Sequence, residues 1–261
     1  RSLATLGCRR PGEENPMEPR VETKAPWGRI GAIALPLGVI LLVAATAVHP
    51  SRENVMNHTA VFTEYAQSDG WIAIHFTQWA AALVFFGGLV ALYFAMTAKR
   101  EGPNTLVRFG LAAVVLTAAA ITMLQAVDGI ALKWAVDAWV NAPADQESSA
   151  LSAAMGLRWT EYALQSYSNL LLGLTLIFFG LALAYGSVFP RWPGWLAAAS
   201  GVAWIVHGLM VSYVGLFDSV PRLVALVLMA IWAIAMAVQL WPRGSRGEAA
   251  RSSAPAGPAT A

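Results

Sequence analysis

Eight polar or ionisable side chains crowd the stretch from Thr122 to Asn169: Gln125, Asp128, Lys133, Asp137, Arg158, Glu161, Gln165 and Asn169. They interrupt two otherwise apolar helical patterns without ending them. Ionisable groups on membrane helices are costly and mark functional positions. Their spacing groups them. Glu161, Gln165 and Asn169 follow one another at i, i+4 and i+8, a single stripe on one helix face. Arg158 stands three residues before Glu161, within pairing reach, and Lys133 and Asp137 are i, i+4. Gln125 shares a face with Asp128, and His75 shares one with Gln78. Carboxylates and amides gathered this way suit a small polar or cationic solute.

The histidines offer a second chemistry. His75 and His207 on two packed helices could hold a haem b between axial imidazoles. With Asp128 and Glu161 they could instead supply the three or four ligands of a divalent metal such as zinc. His49 and His58 read as interface and loop residues. Other signatures are absent. There is no phosphate loop, no H-E-x-x-H, no G-x-S-x-G and no nucleophile beside a recognisable base.

The elements that must position these groups are membrane spans. The 261 residues are 57% hydrophobic and only 12% charged, about half the charge of a soluble domain. No basic stripe interleaved with aromatics calls for nucleic acid. A spanning helix needs about 20 apolar residues. Six runs meet that length, at residues 27–48, 71–98, 105–140, 151–185, 194–216 and 222–241. The expected fold is all-α, a polytopic bundle of six transmembrane helices forming one membrane domain over residues 27–241. Pro36 should kink the first span. Residues 51–70 form a polar loop whose Val55, Val61, Phe62 and Tyr65 give it a weak helical face that would lie on the membrane surface. Residues 1–26 and the Ala-, Gly-, Pro- and Ser-rich tail 242–261 are expected to be disordered. Gly12-Glu13-Glu14, encoded by purine-rich codons ahead of Met17, predicts that translation starts at Met17 and excludes the only cysteine, Cys8.

Positive charge sets the expected orientation. With the N-terminus inside, inner segments hold Arg20, Lys24, Arg29, Lys99, Arg100, Arg108, Arg191, Arg243, Arg246 and Arg251, against Arg52, Lys133, Arg158 and Arg222 outside. Both termini are then cytoplasmic, and helices 3 and 4 extend on the outer side. Trp71, Trp134, Trp139 and Trp159 would form the outer aromatic belt. At about 1.5 Å per residue, Asp128 lies about 35 Å along its helix, at the outer interface of a core about 30 Å thick. Glu161 falls at a similar height, with His75, Gln78, Gln125, Gln165, Asn169 and His207 somewhat deeper. The polar groups of four helices therefore share one outer layer.

The short turn Phe189-Pro190-Arg191-Trp192-Pro193-Gly194-Trp195 entering the fifth span completes a pattern. It resembles uncharacterised bacterial membrane proteins of the group called domain of unknown function 4386. The resemblance covers most of residues 27–241. It implies a bacterial inner-membrane protein and brings no activity and no site residues.

Three readings follow. In the first, a non-enzymatic membrane protein senses or carries a small polar or cationic solute in an outward-facing pocket. Asp128 and Glu161 floor that pocket, with Gln125, Gln165, Asn169, Arg158, His75, Gln78 and His207 around them. In the second, a membrane redox or metal protein uses His75 and His207. In the third, an accessory subunit has a purely structural polar layer, with Lys133, Asp137 and Arg158 solvating helix ends. The lipid bilayer is the expected partner in all three. The inner half of each span lacks polar groups for an exit path, which a homodimer or a complex partner would have to supply.

Overall fold

The computed structural model describes residues 25–50, 52–97, 104–216 and 219–241. The expected start at Met17, Cys8, the Lys99–Arg100 turn and the tail 242–261 lie outside these residues.

All the regular structure among the described residues is helical. The helices are α1 (Ala25–Ala47), α2 (His58–Ala66), α3 (Trp71–Thr97) and α4 (Asn104–Ala126), a six-residue π-helical segment (Val127–Leu132), then α5 (Lys133–Val140), α6 (Glu147–Tyr185), α7 (Trp192–Val214) and α8 (Val220–Leu240). Six stretches are long and apolar enough to cross a membrane: Pro26–Ala47, Trp71–Thr97, Thr105–Val140, Glu147–Tyr185, Trp192–Val214 and Val220–Leu240. Length and composition thus point to a multi-pass membrane protein. Pro36 sits inside a continuous α1. Many large apolar side chains face outward, among them Ile40, Val115, Leu116, Leu223 and Val238. In water such a surface would be a liability, whereas lipid tails cover it at no cost.

The six long helices close into a ring. Each packs on its neighbour in sequence, α1 on α3, α3 on α4, α4 on α6, α6 on α7 and α7 on α8, and α8 returns to α1. Short turns join α6 to α7 and α7 to α8, while α1 reaches α3 through the longer segment that holds α2. The ring's interior is filled by Leu35, Phe85, Leu89, Leu176, Phe179, Met229, Trp232 and Met236. Small residues let the helices approach. A β-carbon on Gly173 would stand 2.6 Å from the Gly201 carbonyl oxygen, and one on Gly201 would stand 2.5 Å from the Gly173 carbonyl oxygen. The α6–α7 crossing is backbone on backbone there. Hydroxyls join the helices elsewhere. Thr117 meets Thr175 at 2.9 Å, and Ser200 donates to the Ala225 carbonyl at 2.8 Å.

The segment 51–70 departs from expectation. It holds a true helix, α2, whose apolar face is turned into the bundle. Val61, Phe62 and Tyr65 are buried against Trp71, Leu132, Val136, Trp139 and Ala154. The weak apolar face was real, and its partners are the start of α3, the π segment, α5 and α6. Trp71 is fully buried and Trp139 nearly so, which removes both from the expected outer belt; Trp134 and Trp159 remain exposed. Asn57 caps α2, its side chain accepting from the Ala60 amide at 3.3 Å. At the far end Lys133 Nζ donates to the Ala66 carbonyl at 3.0 Å and to Asp137 Oδ1 at 2.7 Å. Lys133 therefore ties α2 to the bundle as well as solvating a helix end. Loss of the cap in Asn57→Ala should cost about 1 kcal/mol. The expected readout is faster proteolysis between residues 50 and 70, with little change in global unfolding.

Candidate functional site

One end of the ring is polar and hollow. A cavity of about 750 Å³ is lined from seven α-helices, the π segment and the loop after α1. Its polar wall comprises Thr46, His49, Gln78, Gln125, Asp128, Arg158, Glu161, Gln165, Ser168, Asn169, His207 and Arg222. Eight of the nine residues expected to form a pocket line it. The ninth, His75, stands directly behind the wall and holds Asp128. Exposed Glu53 and Asn54 mark where the cavity reaches the surface. The Glu64 carboxylate fixes that loop by accepting the Arg52 amide at 3.0 Å and the Glu53 amide at 3.3 Å.

Each side chain is placed by its helix. Arg158 and Glu161, one turn apart on α6, pair at 2.7 Å and are 1% and 3% exposed at the side chain. Arg158 thus does not solvate a helix end. Its guanidinium also lies over the rings of Tyr162 at 4.9 Å and Tyr65 at 5.5 Å, a cation–π arrangement that ties α6 to α2. Glu161 is accordingly half of an ion pair and not an open acid on the floor. Further along the stripe Gln165 donates to Asn169 Oδ1 at 3.0 Å. Across the cavity a looser chain runs from Gln125 to Gln78 and from Gln78 to Thr46, each step at 3.5 Å, joining α4, α3 and α1.

Asp128 belongs to the π-helical segment. A π turn shifts the hydrogen-bond register of a helix and is frequent at functional sites. Here it leaves the Asp128 carbonyl to accept from Trp71 Nε1 at 3.1 Å, while Asp128 Oδ2 meets His75 Nε2, also at 3.1 Å. Gly129 makes the approach of the segment to α3 feasible, because a β-carbon on it would lie 2.5 Å from His75 Cβ.

The histidines are not arranged as expected. His75 has both ring nitrogens engaged, by the Trp71 carbonyl and by Asp128. The ring beside it is His49, with centroids 5.1 Å apart. His207 Nδ1 is engaged with Ser219 Oγ at 2.9 Å, and its ring lies near Trp204. The ring topology explains the correction. α3 packs on α1 and α4, whereas α7 packs on α6 and α8. His49 follows the end of α1 and His75 lies one turn into α3, so the two meet at the same end of adjacent antiparallel helices. That was the available signal, and reading His49 as a mere span terminus missed it. Burial holds the His49 imidazole below its ordinary pKa, against the opposing pull of Asp128.

Several cavity atoms are buried without a protein hydrogen-bond partner: Gln125 Oε1, Asp128 Oδ1, Ser168 Oγ, Asn169 Nδ2 and Trp204 Nε1. Such atoms cost free energy unless something in the cavity satisfies them. They divide by type. The first two accept, the indole and amide nitrogens donate, and the serine does either.

Compared with family models, with curated proteins and with solved structures, the chain matches none.

Proposed function

We propose that this is a multi-pass membrane protein that binds a small polar solute in the cavity at one end of its helix ring. The unpartnered buried donors and acceptors on the cavity wall carry this reading. A solute with a cationic or donor group toward Asp128 and Gln125, and an acceptor toward Asn169 and Trp204, would satisfy them together. The apolar filling below the cavity, from Leu35 to Met236, favours sensing or capture over an open conduit. Carriage would require a second conformation of the ring. On the charge distribution, both termini are cytoplasmic and the cavity faces outward, with α5 and the start of α6 standing beyond the bilayer. A bacterial inner membrane is the proposed setting.

A thermal-shift series in detergent tests the reading, using small amines, amino acids and polyols. A bound member at about 100 times its Kd should stabilise the protein by about 2.7 kcal/mol. Gln165→Leu should weaken that same solute at least tenfold while leaving the unliganded midpoint nearly unchanged. If no member of the three classes shifts the midpoint, the pocket reading fails.

A further inference from the structure

Among the described residues, His49, His75 and Asp128 each offer one ligand atom, and these three atoms lie within 4.8 Å of one another. The three come from the end of α1, the start of α3 and the π segment, so tertiary structure assembles them. Both imidazoles are oriented by their own backbone. His49 Nδ1 lies 2.8 Å from the Pro50 carbonyl oxygen, and His75 Nδ1 lies 2.8 Å from the Trp71 carbonyl oxygen. A carbonyl only accepts, so in each ring Nδ1 carries the hydrogen and Nε2 is the remaining nitrogen. This is the second-shell arrangement that fixes the tautomer and aim of metal-binding histidines.

The contact between His75 and Asp128 adds a requirement. With Nδ1 donating to Trp71, a neutral His75 presents only a lone pair at Nε2. That lone pair faces Asp128 Oδ2 at 3.1 Å. Two electron-rich atoms at this distance need a positive centre between them. A proton on Nε2 meets that need, and so does a metal ion. Two ligands about 2.1 Å from a common tetrahedral zinc stand about 3.4 Å apart, close to the observed spacing. The second oxygen, Asp128 Oδ1, is buried and unpartnered. Trp71 lies against both rings at a tilt, with centroids 4.9 Å from His49 and 4.4 Å from His75, and confines their orientation.

We infer that His49 Nε2, His75 Nε2 and the Asp128 carboxylate bind a divalent first-row metal ion, best matched by zinc. Two imidazoles and a carboxylate make a borderline donor set, suited to zinc and unlike the all-oxygen sets of magnesium or calcium. Three protein ligands leave one tetrahedral position. His49 and Asp128 line the cavity, so that position faces it and would be taken by water or by an oxygen of a bound solute. The metal is a Lewis acid in the wall of the polar chamber. The inference stands apart from solute binding, since the metal is tested alone.

The experiment is a titration of chelator-treated, detergent-purified protein with Co²⁺, read by its visible ligand-field bands, followed by displacement with Zn²⁺. The expected result is one Co²⁺ per chain with tetrahedral band intensity, displaced by one Zn²⁺. His49→Phe keeps an aromatic ring against Trp71 and should reduce Co²⁺ affinity at least 100-fold, as should Asp128→Asn. His58→Ala, at a histidine that does not line the cavity, should bind as wild type does. Size-exclusion and circular dichroism profiles identify any variant that fails to fold. The wild-type titration decides independently of them. Absence of stoichiometric Co²⁺ and Zn²⁺ binding to the folded wild-type protein overturns the inference and leaves an imidazolium–aspartate pair. So does binding that survives both His49→Phe and Asp128→Asn.

Discussion

Arg158→Ala should lower the unfolding free energy by about 3–5 kcal/mol, the cost of breaking a buried ion pair from one side. The substitution leaves Glu161 at 2% exposure without its 2.7 Å partner, on a wall that also carries Asp128. It also removes the guanidinium from the rings of Tyr65 and Tyr162, loosening α2 from α6. The double variant Arg158→Leu/Glu161→Leu should recover much of the loss, because two apolar side chains of similar reach bury no charge. Unfolding in mixed micelles, followed by tryptophan fluorescence, gives the three midpoints. A single variant no less stable than the double would show that the pair contributes little, and the rigidity assigned to this wall would have to come from elsewhere.

The ion pair also shows how much of the site was legible. Arg158 and Glu161 are i, i+3 on a helix, and the stripe Glu161, Gln165, Asn169 repeats every four residues. Helical geometry alone places these contacts, and the structure has Arg158 on Glu161 and Gln165 on Asn169. The six long helices were legible for a similar reason, since each is a local property of an apolar run. Gathering polar groups into one layer needed only the alternation of antiparallel spans and a count of residues from each end. Contacts between distant segments were the part that did not follow. Nothing in the run Val127–Leu132 announces a π turn, because the register shift depends on contacts with α3, where Trp71 Nε1 donates to the Asp128 carbonyl. α2 is nine residues long, too short to persist alone in water. Its helix depends on burying Phe62 and Tyr65 under α5 and α6, which a local reading cannot weigh. His49 was passed over because a residue at the end of a span usually faces the interface. Here the α1–α3 pairing turns it inward, onto Trp71 and His75.

The π segment leads to the second large effect. Gly129→Ala should destabilise the protein by about 1–3 kcal/mol, the usual range for overpacking, and separate Asp128 from His75. The added β-carbon would fall 2.5 Å from His75 Cβ and 2.9 Å from His75 Cγ, so one side must move. α3 is the less yielding partner. Trp71 is fully buried in it, and His75 is hydrogen-bonded to the Trp71 carbonyl. The π turn therefore shifts, carrying away both the Asp128 carboxylate and the carbonyl that receives Trp71 Nε1. Gly156→Ala in α6 is the matched control, since a β-carbon there has no neighbour within 4 Å. On helix propensity alone it should stabilise by up to about 1 kcal/mol. The same substitution then has opposite signs at two helical glycines, and only the one at position 129 should weaken Co²⁺ binding, by more than tenfold. Equal and favourable shifts at both positions would mean that the π segment tolerates a side chain. Asp128 would then be held against His75 by something other than the closeness of two backbones.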